Sequence, residues 1–313
     1  MRESLVPVRV PYRLDLTAIV LRRLSTNVVD VFDGLRYRRL LGAFGDPTLL
    51  TVEQTAPDAV RVRFDGPAAA ALDASTTVRR LLGTEVDLEP FYARAKRLAW
   101  LDALAVRARG VKPPRYPTLW ETICNAVVYQ QVSIHAAGAI LRRVIERFAA
   151  PYDAGEARIY PFPPPEVLRD ADPGELRSLG LSANKIAALK ASAAALADRT
   201  LDEEPLAVLP TPALLEALVA HKGIGPWTAA VIALRGFGRL DVFPRNDSGA
   251  SANLRTLSAD ASVDAERVLA TLEPQQGMLY YHLLLGRLSA SGEAALDATP
   301  GTAARADGLS EAR

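Results

Sequence analysis

The sequence predicts an α+β protein, with a small mixed N-terminal domain followed by an all-helical domain. Two observations carry this. Over the first ~85 residues short runs alternate apolar with polar side chains, the period of a half-buried strand. From Leu88 onward the apolar residues recur three and four apart, the period of a helix packed on one face.

Taken in order, residues 3–10 alternate like a strand, and Asp15 stands where it can cap a short helix over 16–23. Residues 28–33, 36–41, 49–53 and 59–64 read as short strands, separated by turn signals such as Asp33-Gly34, Gly45-Asp46-Pro47 and Ala56-Pro57-Asp58. Gly66-Pro67 opens an alanine-rich helix to about Leu82. Residues 91–105 form one candidate helix, and the proline-rich stretch 112–117 is a stiff connector. Thr118-Leu119-Trp120-Glu121 has the capping-box form and starts the next helix. Helices are expected over 133–148, 173–178 and 183–197, with a proline-rich loop at 161–165. The boundaries expected are 1–86 for the mixed domain, 87–297 for the helical domain and 298–313 for a disordered tail.

A chain of 313 residues with 49 % hydrophobic composition buries a sizeable core. No run of about 18 apolar residues is present, and the N-terminal stretch is too polar for a signal peptide, so a cytoplasmic protein without a membrane partner is expected. The single cysteine, Cys124, excludes an internal disulfide and a four-cysteine cluster. His135, His221 and His282 are scattered, so no zinc-type or iron-type metal site is expected. Net charge is +1 and nearly all positive charge is arginine, often paired, as in Arg22-Arg23 and Arg38-Arg39. Solvated surface arginines explain such pairs; a local basic groove in a neutral protein is the alternative.

The informative stretch runs from Thr211 to Asp247. Thr211-Pro212 reads as a helix start, and Leu214, Leu215, Leu218 and Val219 make an apolar stripe that Gly223 stops. Gly223-Ile224-Gly225 leads to Pro226, which starts a second helix ending at Gly236, giving a helix–hairpin–helix over 211–236. Two glycines permit backbone angles closed to other residues and leave no side chains in the way. The N–H groups of the turn and of the second helix then face outward as an anion site suited to a DNA phosphate, with Lys222 adding charge. An ordinary tight turn between helices is the competing explanation. Downstream, Asp241-Val242-Phe243-Pro244-Arg245-Asn246-Asp247 places a carboxylate twenty residues after Trp227.

Residues 218–229, together with Ala233-Leu234-Arg235-Gly236 and Asp241-Val242-Phe243, resemble the helix–hairpin–helix DNA glycosylases (HhH-GPD), and within them the 3-methyladenine DNA glycosylase II, AlkA-like branch. Residues 129–133, 171–185 and the opening Pro11-Tyr12 extend the likeness over most of 5–290. The resemblance implies a TATA-binding-protein-like mixed domain, a two-lobed helical domain and a lesion in the cleft between the lobes. It implies Asp247 as the catalytic carboxylate, Asp241 being read as a structural hydrogen-bonding residue. It implies base contacts from Trp227, Val231, Ser248, Tyr129 and Leu284, and DNA contacts from Lys222, Gly223, Ile224, Gly225, Thr228, Gln130, Gln131, Val132 and Ser133, with Gln131 filling the gap left by the flipped nucleotide. Bifunctional members carry a lysine where Trp227 stands, so the implied enzyme is monofunctional and leaves an abasic site. Its partner is double-stranded DNA containing damaged bases, and the expected state is a nucleoid-associated monomer. No cofactor is expected beyond an alkali-metal ion that the resemblance allows at the hairpin.

The pocket departs from the family pattern. Val20 and Val231 stand at positions suited to aromatic rings, and Trp120, Tyr129, Tyr280 and Tyr281 are either compensating rings or core. The loop from Pro244 to Asp247 has one residue more than the common Pro-x-Asp form. The implied substrates are alkylated purines; neutral lesions such as 8-oxoguanine, hypoxanthine or uracil, or silent binding of damaged DNA, are the alternatives.

Overall fold

The computed structural model describes residues 1–155 and 158–296. The expected tail at 298–313 lies outside the described residues. The N-terminal part holds an antiparallel sheet built from β1 (Arg2–Pro7), β2 (Val31–Phe32), β3 (Arg36–Ala43), β4 (Asp46–Ala56) and β5 (Ala59–Asp65), in the order β1-β5-β4-β3-β2. Val52, Val60, Val62 and Phe64 point to one face and are buried, the period-two pattern the sequence carries. Helix α1 (Leu14–Arg22) packs on this sheet, and α2 (Ala74–Leu82) follows β5.

Several expected boundaries shift for identifiable reasons. Asp15 does not cap α1. It sits inside the first turn and pairs with Arg13 at 2.6 Å, while the Leu14 N–H is taken by the Gln54 side chain. The helix expected from Gly66 to Leu82 is broken, because Asp73 accepts the Thr76 N–H and starts α2 afresh after a 3-10 turn at Pro67–Ala70. The helix expected over 91–105 is two, α3 (Glu89–Ala95) and α4 (Ala99–Arg107), with Leu98 extended between them.

The chain then runs through α5 (Leu119–Val128), α6 (Ile134–Phe148), a small hairpin of β6 (Tyr152–Asp153) and β7 (Arg158–Ile159) that the sequence did not signal, α7 (Pro165–Asp170), α8 (Pro173–Ser178), α9 (Ala183–Ala197), α10 (Glu203–Ala207), α11 (Thr211–Val219) and α12 (Pro226–Arg235). It closes with α13 (Ser248–Ser258), α14 (Ala265–Leu272) and α15 (Gly277–Ala290). Buried apolar residues fall into two clusters. One joins the sheet, α1 to α4 and α13 to α15; the other is made mostly by α5 to α12. The middle of the chain is thus one lobe, and the two end segments together build the other.

A buried polar network crosses between the lobes. Arg39 on β3 donates to Asp30 at 2.9 Å and to Glu121 on α5 at 2.8 Å, and the Tyr37 hydroxyl donates to Asp30 at 2.7 Å. This alters the reading of Thr118–Glu121. Thr118 caps α5 by accepting the Glu121 N–H, but the Glu121 carboxylate turns to Arg39, so only half of a capping box forms. Arg39, like Arg23 and Arg235, is not a solvated surface arginine; all three are buried.

Candidate active site

Between the lobes lies a cavity of about 1040 Å³, lined by the end of α1, the α5–α6 loop, the start of α9, and parts of α12, α13 and α15. Its chemistry starts from the hairpin. Gly223 has φ +84, open to glycine, and a Cβ there would sit 2.2 Å from the Ala188 Cβ on α9. Gly225 differs: its φ of −86 suits any residue and a Cβ there would meet nothing within 4 Å. Conformation therefore demands a glycine at the first position only, and the backbone at the second is open to an approaching group. Ile224, expected to face DNA, is instead in the core, so its side chain anchors the turn from below. Lys222 is exposed beside it.

Helix α12 brings Trp227 and Val231 to the cavity wall. Thr228, also expected on the DNA side, has a buried side chain whose hydroxyl accepts from the Gln130 amide at 2.7 Å; what it can offer outward is its first-turn N–H. Gln130 also donates to the Gly223 carbonyl at 3.2 Å, so the α5–α6 loop is tied to the hairpin. Beyond it Gln131 is exposed with φ 54, Val132 is an exposed apolar side chain at the loop tip, and Ser133 caps α6 through the Ala136 N–H.

Asp247 is the cap of α13. Its Oδ1 accepts the Ala250 N–H at 2.9 Å, and its Oδ2 accepts the Trp227 indole N–H at 3.1 Å. Each oxygen is held by one donor and keeps lone-pair capacity for a second, in a half-buried position on the cavity wall. Helix capping and exposure to the cavity are thus properties of the same carboxylate. The extra loop residue is absorbed locally: Asn246 takes φ 60, a conformation asparagine tolerates, and Asp247 still lands at the start of α13. Ser248 and Leu284 also line the cavity. Asp241 is exposed and contributes its backbone carbonyl to the Gln276 amide at 2.8 Å.

The aromatic candidates separate. Tyr129 and Tyr280 line the cavity, whereas Trp120 donates to the Pro163 carbonyl in the core and Tyr281 is fully buried. Val20 is buried away from the lining; the residue that reaches the cavity from α1 is Arg23, which the sequence had placed among surface arginines. Its guanidinium carbon lies 3.9 Å from the Tyr129 ring centroid. Lys185, counted in the sequence only as part of the 171–185 likeness, and Arg287 are further lining residues that had been given no site role. Lys185 is bound to the Val128 carbonyl at 2.9 Å, and burial pushes its ammonium pKa down. Among the described residues no group of three or more His, Cys, Asp and Glu side chains converges as a metal site, and no helix is long and apolar enough to cross a membrane.

Comparisons with known proteins speak to the family and the fold. Residues 124–274 match the family model described as HhH-GPD superfamily base excision DNA repair protein. A probable bifunctional transcriptional activator/DNA repair enzyme AlkA of Mycobacterium tuberculosis is 34 % identical over 202 residues, covering 64 % of this chain and 39 % of that protein. A DNA-3-methyladenine glycosylase of Bacillus subtilis is 27 % identical, covering 55 % of this chain and 56 % of that one. The match thus spans roughly half or less of these relatives' length. The solved structure of a 3-methyladenine DNA glycosylase from Archaeoglobus fulgidus superposes with a TM-score of 0.74 over 91 % of this chain and 99 % of that one, at 22 % identity, which establishes the shared fold. Residues 124–274, just under half of the chain, belong to the HhH-GPD superfamily of base excision DNA repair proteins.

Proposed function

We propose that this protein is a monofunctional DNA N-glycosylase of base excision repair, acting at the nucleoid. It flips an alkylated purine of the 3-methyladenine or 7-methylguanine type into the inter-lobe cavity and hydrolyses its N-glycosidic bond. The observation that carries the reading is the Asp247 carboxylate on the cavity wall, oriented by Trp227 and by the start of α13, beside a hairpin whose Gly225 backbone is open.

The chemistry follows from these groups. Breaking an N-glycosidic bond builds positive charge on the sugar, as in other glycosyl transfers. A carboxylate held by two fixed donors needs no reorganisation to stabilise that charge, and its free lone pairs can orient or deprotonate the attacking water. An alkylated ring nitrogen already makes the base a good leaving group, so one carboxylate serves without a general acid. With Trp227 at the lysine position of bifunctional members, and Lys185 engaged with a backbone carbonyl, the product is an abasic site on an uncut strand. DNA is held through backbone N–H groups at Gly225 and the first turn of α12, with Lys222 adding a sequence-independent phosphate contact. Gln131, Val132 and Ser133 face the gap in the duplex. A second reading, removal of uncharged lesions, is favoured by the positive charge that Arg23 brings to the cavity.

The test is base release from methylated duplex DNA, with the freed base identified, for the wild type and Asp247→Asn. The reading expects release by the wild type, none by the variant, and unchanged affinity of the variant for abasic duplex. A wild type that releases no base from methylated, oxidised or deaminated duplexes leaves only a silent binder.

A further inference from the structure

The cavity carries a buried cation that the proposed reaction does not use. Arg23 follows α1 with φ 64 and ψ −64, and the Leu24 N–H donates across it to the Arg22 carbonyl at 2.8 Å. This is a γ-turn of the rare, strained hand. The turn directs the side chain inward: Arg23 is 4 % exposed, lines the cavity, and sets its guanidinium carbon over the Tyr129 ring. Arg39 shows what a buried arginine ordinarily requires, two carboxylates at 2.9 and 2.8 Å. Arg23 makes no ion pair with a carboxylate among the described residues, and its Nη1 is buried without a hydrogen-bond acceptor. The protein thus leaves both the charge and part of the donor set of Arg23 uncommitted.

We propose that Arg23 is a specificity-determining residue that reads the charge of the flipped base. Its guanidinium, backed by Tyr129, favours uncharged bases carrying a hydrogen-bond acceptor over purinium cations. This rests on the glycosylase reading and ranks the bases within it. A neutral base with a carbonyl gains a charge-assisted hydrogen bond. A cationic base meets an uncompensated like charge in a cavity where water screens it poorly. The Tyr129 face that holds a cation already is closed to stacking a second one. Asp247, also on the lining, offsets part of that like-charge repulsion; it is present in the wild type and in every Arg23 variant, so its contribution cancels when their ratios are compared.

Hypoxanthine and 7-methylguanine separate this effect, because both carry a carbonyl at C6 and only the second is cationic in DNA. Single-turnover release of each, from otherwise identical duplexes, gives a ratio for the wild type, Arg23→Gln and Arg23→Lys. Comparing ratios cancels the different intrinsic lability of the two bases and any misfolded fraction of a preparation. The expected result is a fall of about 10-fold or more in the hypoxanthine-to-methylguanine ratio for Arg23→Gln, and a ratio within about 3-fold of wild type for Arg23→Lys, which keeps the charge. Equal losses on both substrates, or an unchanged ratio with abasic-duplex affinity retained, overturn the assignment and leave Arg23 a structural residue. A wild type that releases neither base overturns the glycosylase reading and this inference with it.

Discussion

The two sides of the cavity are made in opposite ways. The Asp247 side comes from one stretch of chain, the α11–α12 hairpin and the loop after it, and its polar groups are satisfied by near neighbours. The Arg23 side is assembled from the end of α1, the end of α5 and α15, and its central charge has no counter-ion among the described residues. The difference teaches that, on the proposed function, the reaction and its selectivity are separable. Local chain geometry fixes Asp247, the carboxylate proposed to react, while the docking of distant segments fixes what lines the opposite wall.

The largest effect that sharpens this contrast is chemical. Asp247→Asn has one acceptor oxygen, which keeps the helix cap and leaves the Trp227 indole N–H without its partner, so the rate of base release should fall about 10³-fold while unfolding free energy falls by only about 1 kcal/mol. A matching loss of stability would mean the two properties of Asp247 cannot be separated. Next comes the network that holds the assembled side. Arg39→Met strands Asp30 and Glu121 in the interior and should lower unfolding free energy by about 3–5 kcal/mol in urea titrations. Its pH dependence has a definite sign. Burial, opposed by Arg39, already pushes Glu121 up to about 7. Removing Arg39 raises it further, so the native state takes up a proton that the unfolded state releases. The penalty should then be smaller near pH 5.5 and grow towards about pH 8. A pH-independent penalty would break that account. Smaller again, Gly223→Ala should destabilise by about 2–3 kcal/mol, since the methyl collides with Ala188 at a positive φ. The smallest belongs to Gly225→Ala: stability within about 0.5 kcal/mol of wild type, with affinity for abasic duplex down roughly 10-fold in titrations at fixed salt. Unchanged DNA affinity would remove the open backbone from the proposed interface.

Legibility from sequence divided along the same line. The α+β class, the helical period and the hairpin are written in contiguous residues, and α6, α8 and α9 begin at the serines and aspartate that cap them. The break at Asp73 was equally local and was missed because an alanine-rich run masks a cap. Arg23 was not legible, because a paired arginine on a short helix looks the same whether solvent or a cavity receives it. Only the γ-turn and the placement of Tyr129 across a gap of about a hundred residues decide the matter. Ile224 and Thr228 were assigned outward for the converse reason: a motif tells which residues belong to a turn, not which of them the neighbouring helices bury.

The shared core of the two end segments bears on how the protein is made. Helices α1, α3 and α4 pack against α13, α14 and α15, across roughly two hundred residues of intervening chain. During synthesis the middle lobe has all its partners before the end segments meet, so the hairpin takes shape while the first lobe still lacks its second half. Asp247 caps the first helix of that returning half. The carboxylate is therefore seated only when α13 docks on the first lobe, and the cavity is closed only once α15 has been made.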